Sequence, residues 1–440
     1  MTTESKRYFF NPLRSLFLWA FVGLHTIFAM VLGRIHAFAP DEVTYINIAR
    51  RTYESGFNTQ GIMGWRNTQL WFLQLLYLPA RLLRAVGLPD YLAIRFLAIV
   101  LSAVAVYLIL CLLRAHPTKL GKYLVGALLL VPSTFLWMTL GLRECFIFSS
   151  LALICTGVYL FTQNDNRKAF AFLASGNLVL FETKAMIFLI VLGALVLTLI
   201  FNIVKSRGFR LQQGFIIASV LIPILIFPVG AKITYYTVKS QFVSLTTTGQ
   251  ASIAQYAESV TSAAVENLAT TNLGLTAAIE SQPGNLIVKI IKLIGLDKKL
   301  SSTSVTDGST KEITPRSSRL DVVPAKVSQP MTILARSGGF LFTPFPFIDN
   351  GSLFINILAF EAPGWWLLYG ALILAIWRRF ASKTVDQLTV FILSFSGAFL
   401  LYSALTEINV GTLTRHRSVL LIPILFLILS TPKKSLSARS

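Results

Sequence analysis

The sequence predicts an all-α, polytopic helical membrane protein. Three observations carry this. The chain is 54% hydrophobic and only 13% charged over 440 residues, whereas about a quarter of residues are charged in soluble domains. Many separate apolar runs approach the ~20 residues that a helix needs to cross a hydrocarbon core. The runs are continuous, not alternating, which fits helical spans and excludes the ~10-residue strands of a barrel. Positive charge, a net +20, lies in short clusters between the runs, as membrane topology requires, and so no nucleic-acid partner is implied. The three cysteines, Cys111, Cys145 and Cys155, sit inside apolar runs and lack metal or disulfide spacing.

Taken in order, Lys6, Arg7 and Arg14 precede a first span over Phe17–Gly33. This places the N-terminus in the cytoplasm, and no cleavage-site pattern marks the span for removal. Asp41 and Glu42 then open a short helix on the outside, where Tyr45, Ile48 and Ala49 share a face. Leu70–Val86 reads as an interfacial helix, because a crossing there would reverse the charge bias downstream. Spans then alternate over Tyr91–Leu113, Tyr123–Leu140, Cys145–Phe161, Phe170–Phe181, Ala185–Ile203 and Phe215–Gly230. Three more follow over Phe354–Trp377, Leu388–Leu405 and Val419–Leu429. About ten crossings result, with both termini inside.

Three parts follow: a membrane module over 1–231 with its first outer loop at 34–90, a long extracytoplasmic loop over 232–350, and C-terminal membrane helices over 351–440. In the long loop, Leu286–Leu300 is basic and amphipathic and is expected to lie on the membrane surface. Trp65, Trp71, Trp137, Trp365 and Trp366 read as interfacial belt residues.

On this topology one membrane face collects Asp41, Glu42, Arg143, Glu144, Glu182, Lys184, Arg415, His416 and Arg417. Carboxylates can serve as general bases toward a hydroxyl, and arginine forks suit a phosphate. Acids and cations at one face therefore point to chemistry on an amphiphile with an anionic head. An acid at Asp41 or Glu42 also favours a helix N-terminus, and Arg143-Glu144 could be an ordinary turn pair.

The Asp-Glu pair on a juxtamembrane helix after one outward span, followed by an interfacial helix, resembles the GT-C superfamily of integral-membrane glycosyltransferases. These include bacterial relatives of protein O-mannosyltransferases and lipid A aminoarabinose transferases. Ile94-Arg95-Phe96 is similar to the family's arginine at the start of its second span, and Leu142-Arg143-Glu144-Cys145-Phe146 is placed like its second outer acid. Trp65-Arg66-Asn67-Thr68-Gln69 departs from the Lys-Pro-Pro-Leu-like stretch usual there. The later segments, Pro344-Phe345-Pro346-Phe347 and Asn409-Val410-Gly411-Thr412 with Arg415-His416-Arg417, resemble bacterial surface-polysaccharide membrane proteins, including O-antigen-polymerase-like ones.

The resemblance implies a transferase that moves a sugar from a polyprenyl-phosphate-linked donor to a glycan or lipid acceptor of the cell envelope. It would act at the outer face of the bacterial cytoplasmic membrane. Asp41 and Glu42, with Glu144, would form the acidic catalytic group, and Glu144 would help hold a divalent metal ion. On their placement at the same face, Arg143, Lys184, Arg415, His416 and Arg417 are the residues expected to meet the phosphate. A polymerase of lipid-diphosphate-linked repeat units and a transporter or flippase are the alternatives.

Overall fold

The computed structural model describes residue 9 and residues 11–32, 40–56, 75–127, 131–206, 211–226, 330–344, 353–406 and 415–430. Among these the regular structure is entirely helical. The interfacial stretch Leu286–Leu300, most of the long loop, Trp65 and Trp71 lie outside the described residues.

The helices are α1 (Leu16–Val31), α2 (Pro40–Glu54), α3 (Tyr77–Ala85), α4 (Tyr91–Ala115), α5 (Lys119–Ala127), α6 (Pro132–Thr139) and α7 (Glu144–Thr162). They continue with α8 (Asn166–Thr183), α9 (Ala185–Ser206), α10 (Leu211–Ile226), α11 (Pro330–Phe342), α12 (Leu353–Ala381), α13 (Gln387–Thr406) and α14 (Leu421–Leu429). Five of them, α4, α7, α9, α12 and α13, are long and apolar enough to cross a membrane. At ~1.5 Å per residue, the 25 residues of α4 exceed the ~30 Å of a hydrocarbon core.

The centre of the bundle is α7. It is apolar on every side and buried over almost its whole length, as a helix without a polar face must be. It packs on α4, α8, α13 and α14. Its contact with α8 is close because two glycines face the neighbouring helix. A Cβ at Gly157 would stand 2.9 Å from the Ala169 carbonyl oxygen, and one at Gly176 would stand 2.8 Å from that of Ser150. Small residues at such crossings let backbones approach within a membrane bundle.

On the periphery, α1 buries Phe21, His25 and Ala29 at four-residue spacing and exposes Trp19, Leu24, Ile27 and Met30. The outer face of α12 exposes Phe360, Leu367, Ile373 and Trp377. Apolar surface on this scale is the surface that lipid covers.

The structure corrects several expectations. The span expected over Tyr123–Leu140 is not one continuous helix. Pro132 starts α6 afresh at its first turn, and Val131 before it is extended, as the residue before a proline prefers. Pro330–Phe342 forms a helix where only loop was expected. Trp137 and Trp365 are buried in the core and do not belong to a belt. The Asp41 helix is present and runs the full length Pro40–Glu54.

Candidate functional site

The site forms where α2, the start of α7 and the helical turn 415–417 meet. Asp41 and Glu42 open α2, where negative charge complements the helix N-terminus. Glu144 opens α7 in the same way. Arg415 joins them. Its Nε donates to Glu144 Oε1, and its Nη1 donates to Asp41 Oδ2 at 3.3 Å. These bonds close sequence separations of 271 and 374 residues.

Adjacent residues on a helix point about 100° apart, so Asp41 and Glu42 face different neighbours. The Glu42 carboxylate is buried and receives Arg95 Nε at 2.7 Å, Arg95 Nη2 at 2.8 Å and the Gly141 N–H at 3.0 Å. Arg95 Nη1 donates onward to the Ala29 carbonyl at 2.9 Å. This pair ties α1, α2, α4 and the 140–143 connection together, and its hydrogen-bonding capacity is used by the fold. Gly141 is small because a Cβ there would meet Ile94 Cγ2 at 2.4 Å and Glu42 Oε1 at 3.1 Å. The expected catalytic use of Glu42 therefore gives way to a positioning role.

Asp41 retains access. Its side chain is 46% exposed and that of Arg415 is 20% exposed, while Glu144 is buried at 2%. Near it, Glu144 Oε2, the Tyr45 hydroxyl and Arg143 Nε are buried without a hydrogen-bond partner. Tyr45 lies one turn after Asp41 on the same face of α2, and the Arg143 guanidinium carbon lies 5.8 Å from its ring centre. Unmet polar atoms are rare in folded proteins, and a cluster of them around an open carboxylate marks a place prepared for a polar ligand.

The electrostatics agree with that arrangement. Burial pushes the Tyr45 phenol up to about 12; Asp41 and Glu144 act in the same sense, and Arg143 and Arg415 oppose them. The hydroxyl therefore remains a donor at neutral pH. Burial acts against the Arg415 charge, but Glu144 beside it, aided by Asp41, holds the guanidinium above its usual range.

Of the expected site residues, Asp41, Arg143, Glu144 and Arg415 come together. His416 is buried against the Phe399 ring and acts on the Glu144 charge. Lys184 ends α8, where its backbone N–H is bonded to Leu180. Arg417 faces another compartment and donates to the Thr343 carbonyl at 2.7 Å. Tyr45 is the member that sequence reasoning missed, although its four-residue spacing from Asp41 was there to be read. Glu361, buried on α12 and bonded to Ser133 Oγ and N–H at 2.5 and 2.8 Å, was also missed. A lone acid in an apolar run was its signal.

Arg415 bridges the two nearest carboxylates, those of Asp41 and Glu144. Among the described residues no group of three or more His, Cys, Asp or Glu side chains could hold a metal ion. No family model matches the chain, and no curated protein matches it either.

Proposed function

We propose that the protein is a membrane glycosyltransferase. It takes a sugar from a polyprenyl-phosphate-linked donor and attaches it to a glycan or lipid acceptor of the cell envelope. The observation that carries this reading is the meeting of Asp41, Glu144 and Arg415 beside buried polar atoms that lack partners. The reading has about ten crossings in the bacterial cytoplasmic membrane, with this cluster at its outer face and both termini inside.

In this mechanism Asp41, the most accessible carboxylate of the cluster, accepts the proton of the acceptor hydroxyl. The hydroxyl oxygen attacks the anomeric carbon as the bond from that carbon to the phosphate oxygen breaks. Glu144 Oε2 and the Tyr45 hydroxyl offer an acceptor and a donor for sugar hydroxyls. Arg143 receives the charge that develops on the leaving phosphate. Arg415 acts differently from the expectation that it meets the phosphate. Its fork is engaged by carboxylates, so its role is to position Asp41 and Glu144.

The test is Asp41→Asn in purified, folded protein supplied with a lipid-phosphate-linked sugar. Loss of a positioned base reduces turnover by roughly 10²–10⁴-fold. Full activity in this variant would remove Asp41 from the chemistry and, with it, the mechanism.

A further inference from the structure

Arg417 has its own surroundings. Residues two apart on a helix do not face each other, and the helical turn 415–417 sends the two guanidiniums to different sides. Arg417 is fully buried. Its guanidinium carbon lies 5.1 Å from the centre of the Trp365 ring, and Nη1 is bonded to Thr343. Its Nε and Nη2 have no hydrogen-bond partner.

The acid that acts on this charge is Glu361, but the Glu361 oxygens are already bonded to the Ser133 N–H, the Ser133 hydroxyl and the Trp365 indole N–H. Tyr369 also acts on it, and the Tyr369 hydroxyl is buried without a partner. Its ring centre lies 6.0 Å from that of Trp365. Burial holds the Arg417 guanidinium below its usual range, against Tyr369 and Glu361.

A guanidinium shut away from water with two idle N–H groups costs free energy that these contacts do not recover. Two idle guanidinium donors and a phenol hydroxyl call for a ligand with several acceptor oxygens and negative charge, and the arginine fork matches a phosphate. The side of the site next to α11 is apolar: Phe342, which precedes Thr343, packs edge-on against Tyr369 and is itself 41% exposed. A phosphate reaching Arg417 along such a surface arrives on a hydrocarbon chain.

We propose that Arg417 and Tyr369, on the face of Trp365, form a second anion site that takes the phosphate of a membrane lipid. The site is separate from the Asp41–Glu144–Arg415 cluster and does not depend on the reaction assigned to that cluster.

The experiment measures binding to the full chain in detergent micelles with three probes: farnesyl phosphate, farnesol and inorganic phosphate. It is done in an Arg143→Gln background, so that the first site does not contribute. Farnesyl phosphate binds, and Arg417→Gln weakens it by on the order of tenfold or more, the loss of a charge-assisted bond. Tyr369→Phe, which removes only an unpartnered hydroxyl, weakens it severalfold and keeps the claim testable if the arginine variant does not fold. Farnesyl phosphate binding unchanged in Arg417→Gln, or in Tyr369→Phe, overturns the site. Farnesol binding as tightly as its phosphate overturns anion recognition, and inorganic phosphate binding as tightly overturns the lipid assignment. Asp41→Asn leaves this binding intact while it lowers transfer by roughly 10²–10⁴-fold, so the two proposals fail by different results.

Discussion

The two ends of the bundle treat buried arginine in opposite ways. At the end formed by the last turns of α12 and α14, both terminal nitrogens of Arg379 are bonded. Its Nη1 donates to both Asp386 oxygens at 3.3 Å and to Thr389 Oγ1 at 2.9 Å. Its Nη2 donates to the Leu427 carbonyl at 3.1 Å, to Ser430 Oγ at 2.8 Å and to the Ser430 carbonyl. It thereby satisfies carbonyls that the C-terminus of α14 would otherwise leave open. At the other end Arg143 and Arg417 keep idle donors, and Tyr45 and Glu144 keep idle oxygens. The first arrangement completes a fold. The second is incomplete as a fold, and its missing partners describe a ligand.

The strongest way to break this contrast is through Arg95, a saturated arginine that nonetheless sits beside the open end. Arg95→Ala strands the buried Glu42 charge and costs about 3–5 kcal/mol, read as a fall in the thermal unfolding midpoint in detergent. A stable variant would mean that Glu42 is not held as described. Next come Arg379→Met and Arg417→Met compared directly. The first gives up a set of charge-assisted bonds and costs about 1.5–3 kcal/mol, whereas the second gives up one bond, to Thr343, and its contact with Trp365 along with idle donors and costs less, as the same unfolding assay reports. Equal losses would erase the distinction between the two ends.

Smaller effects sharpen it. Gly141→Ala drives a methyl group into Ile94 and toward Glu42 and costs about 1–3 kcal/mol by overpacking; limited proteolysis across the 140–143 connection follows it. Tyr45→Phe is the smallest. Its hydroxyl has no partner in the fold, so stability stays within about 0.5 kcal/mol while the KM for the sugar donor rises. A stability loss comparable to that of Gly141→Ala would show that the hydroxyl is bonded within the fold after all.

Much of the fold could be read from residue order, for reasons that also explain the failures. The runs that become α4, α7, α9, α12 and α13 are long and little interrupted, so length alone identifies them. The Tyr123–Leu140 run looked equivalent by hydropathy, but Pro132 restarts the helix, a local steric effect that averaged hydrophobicity does not register. Trp137 and Trp365 were misassigned because an indole suits an interface or a core equally well, and only packing decides. Charge placement correctly grouped Asp41, Glu144 and Arg415. It could not separate Asp41 from Glu42, because that division depends on which way one helix is rotated against α4. Nor could it foresee that Arg415 would be engaged by carboxylates and Arg143 left open, since a count of charges says nothing of pairing.

One bond has a consequence for biosynthesis. Glu144 emerges from the ribosome 271 residues before the arginine that neutralises it, and Asp41 emerges 374 residues before. During that interval the nascent chain carries two acids without their cation, and the cluster does not yet exist. A chain truncated before residue 415 would insert most of its helices and still lack this cluster, so the acids and the cation come together only when the last helices are made.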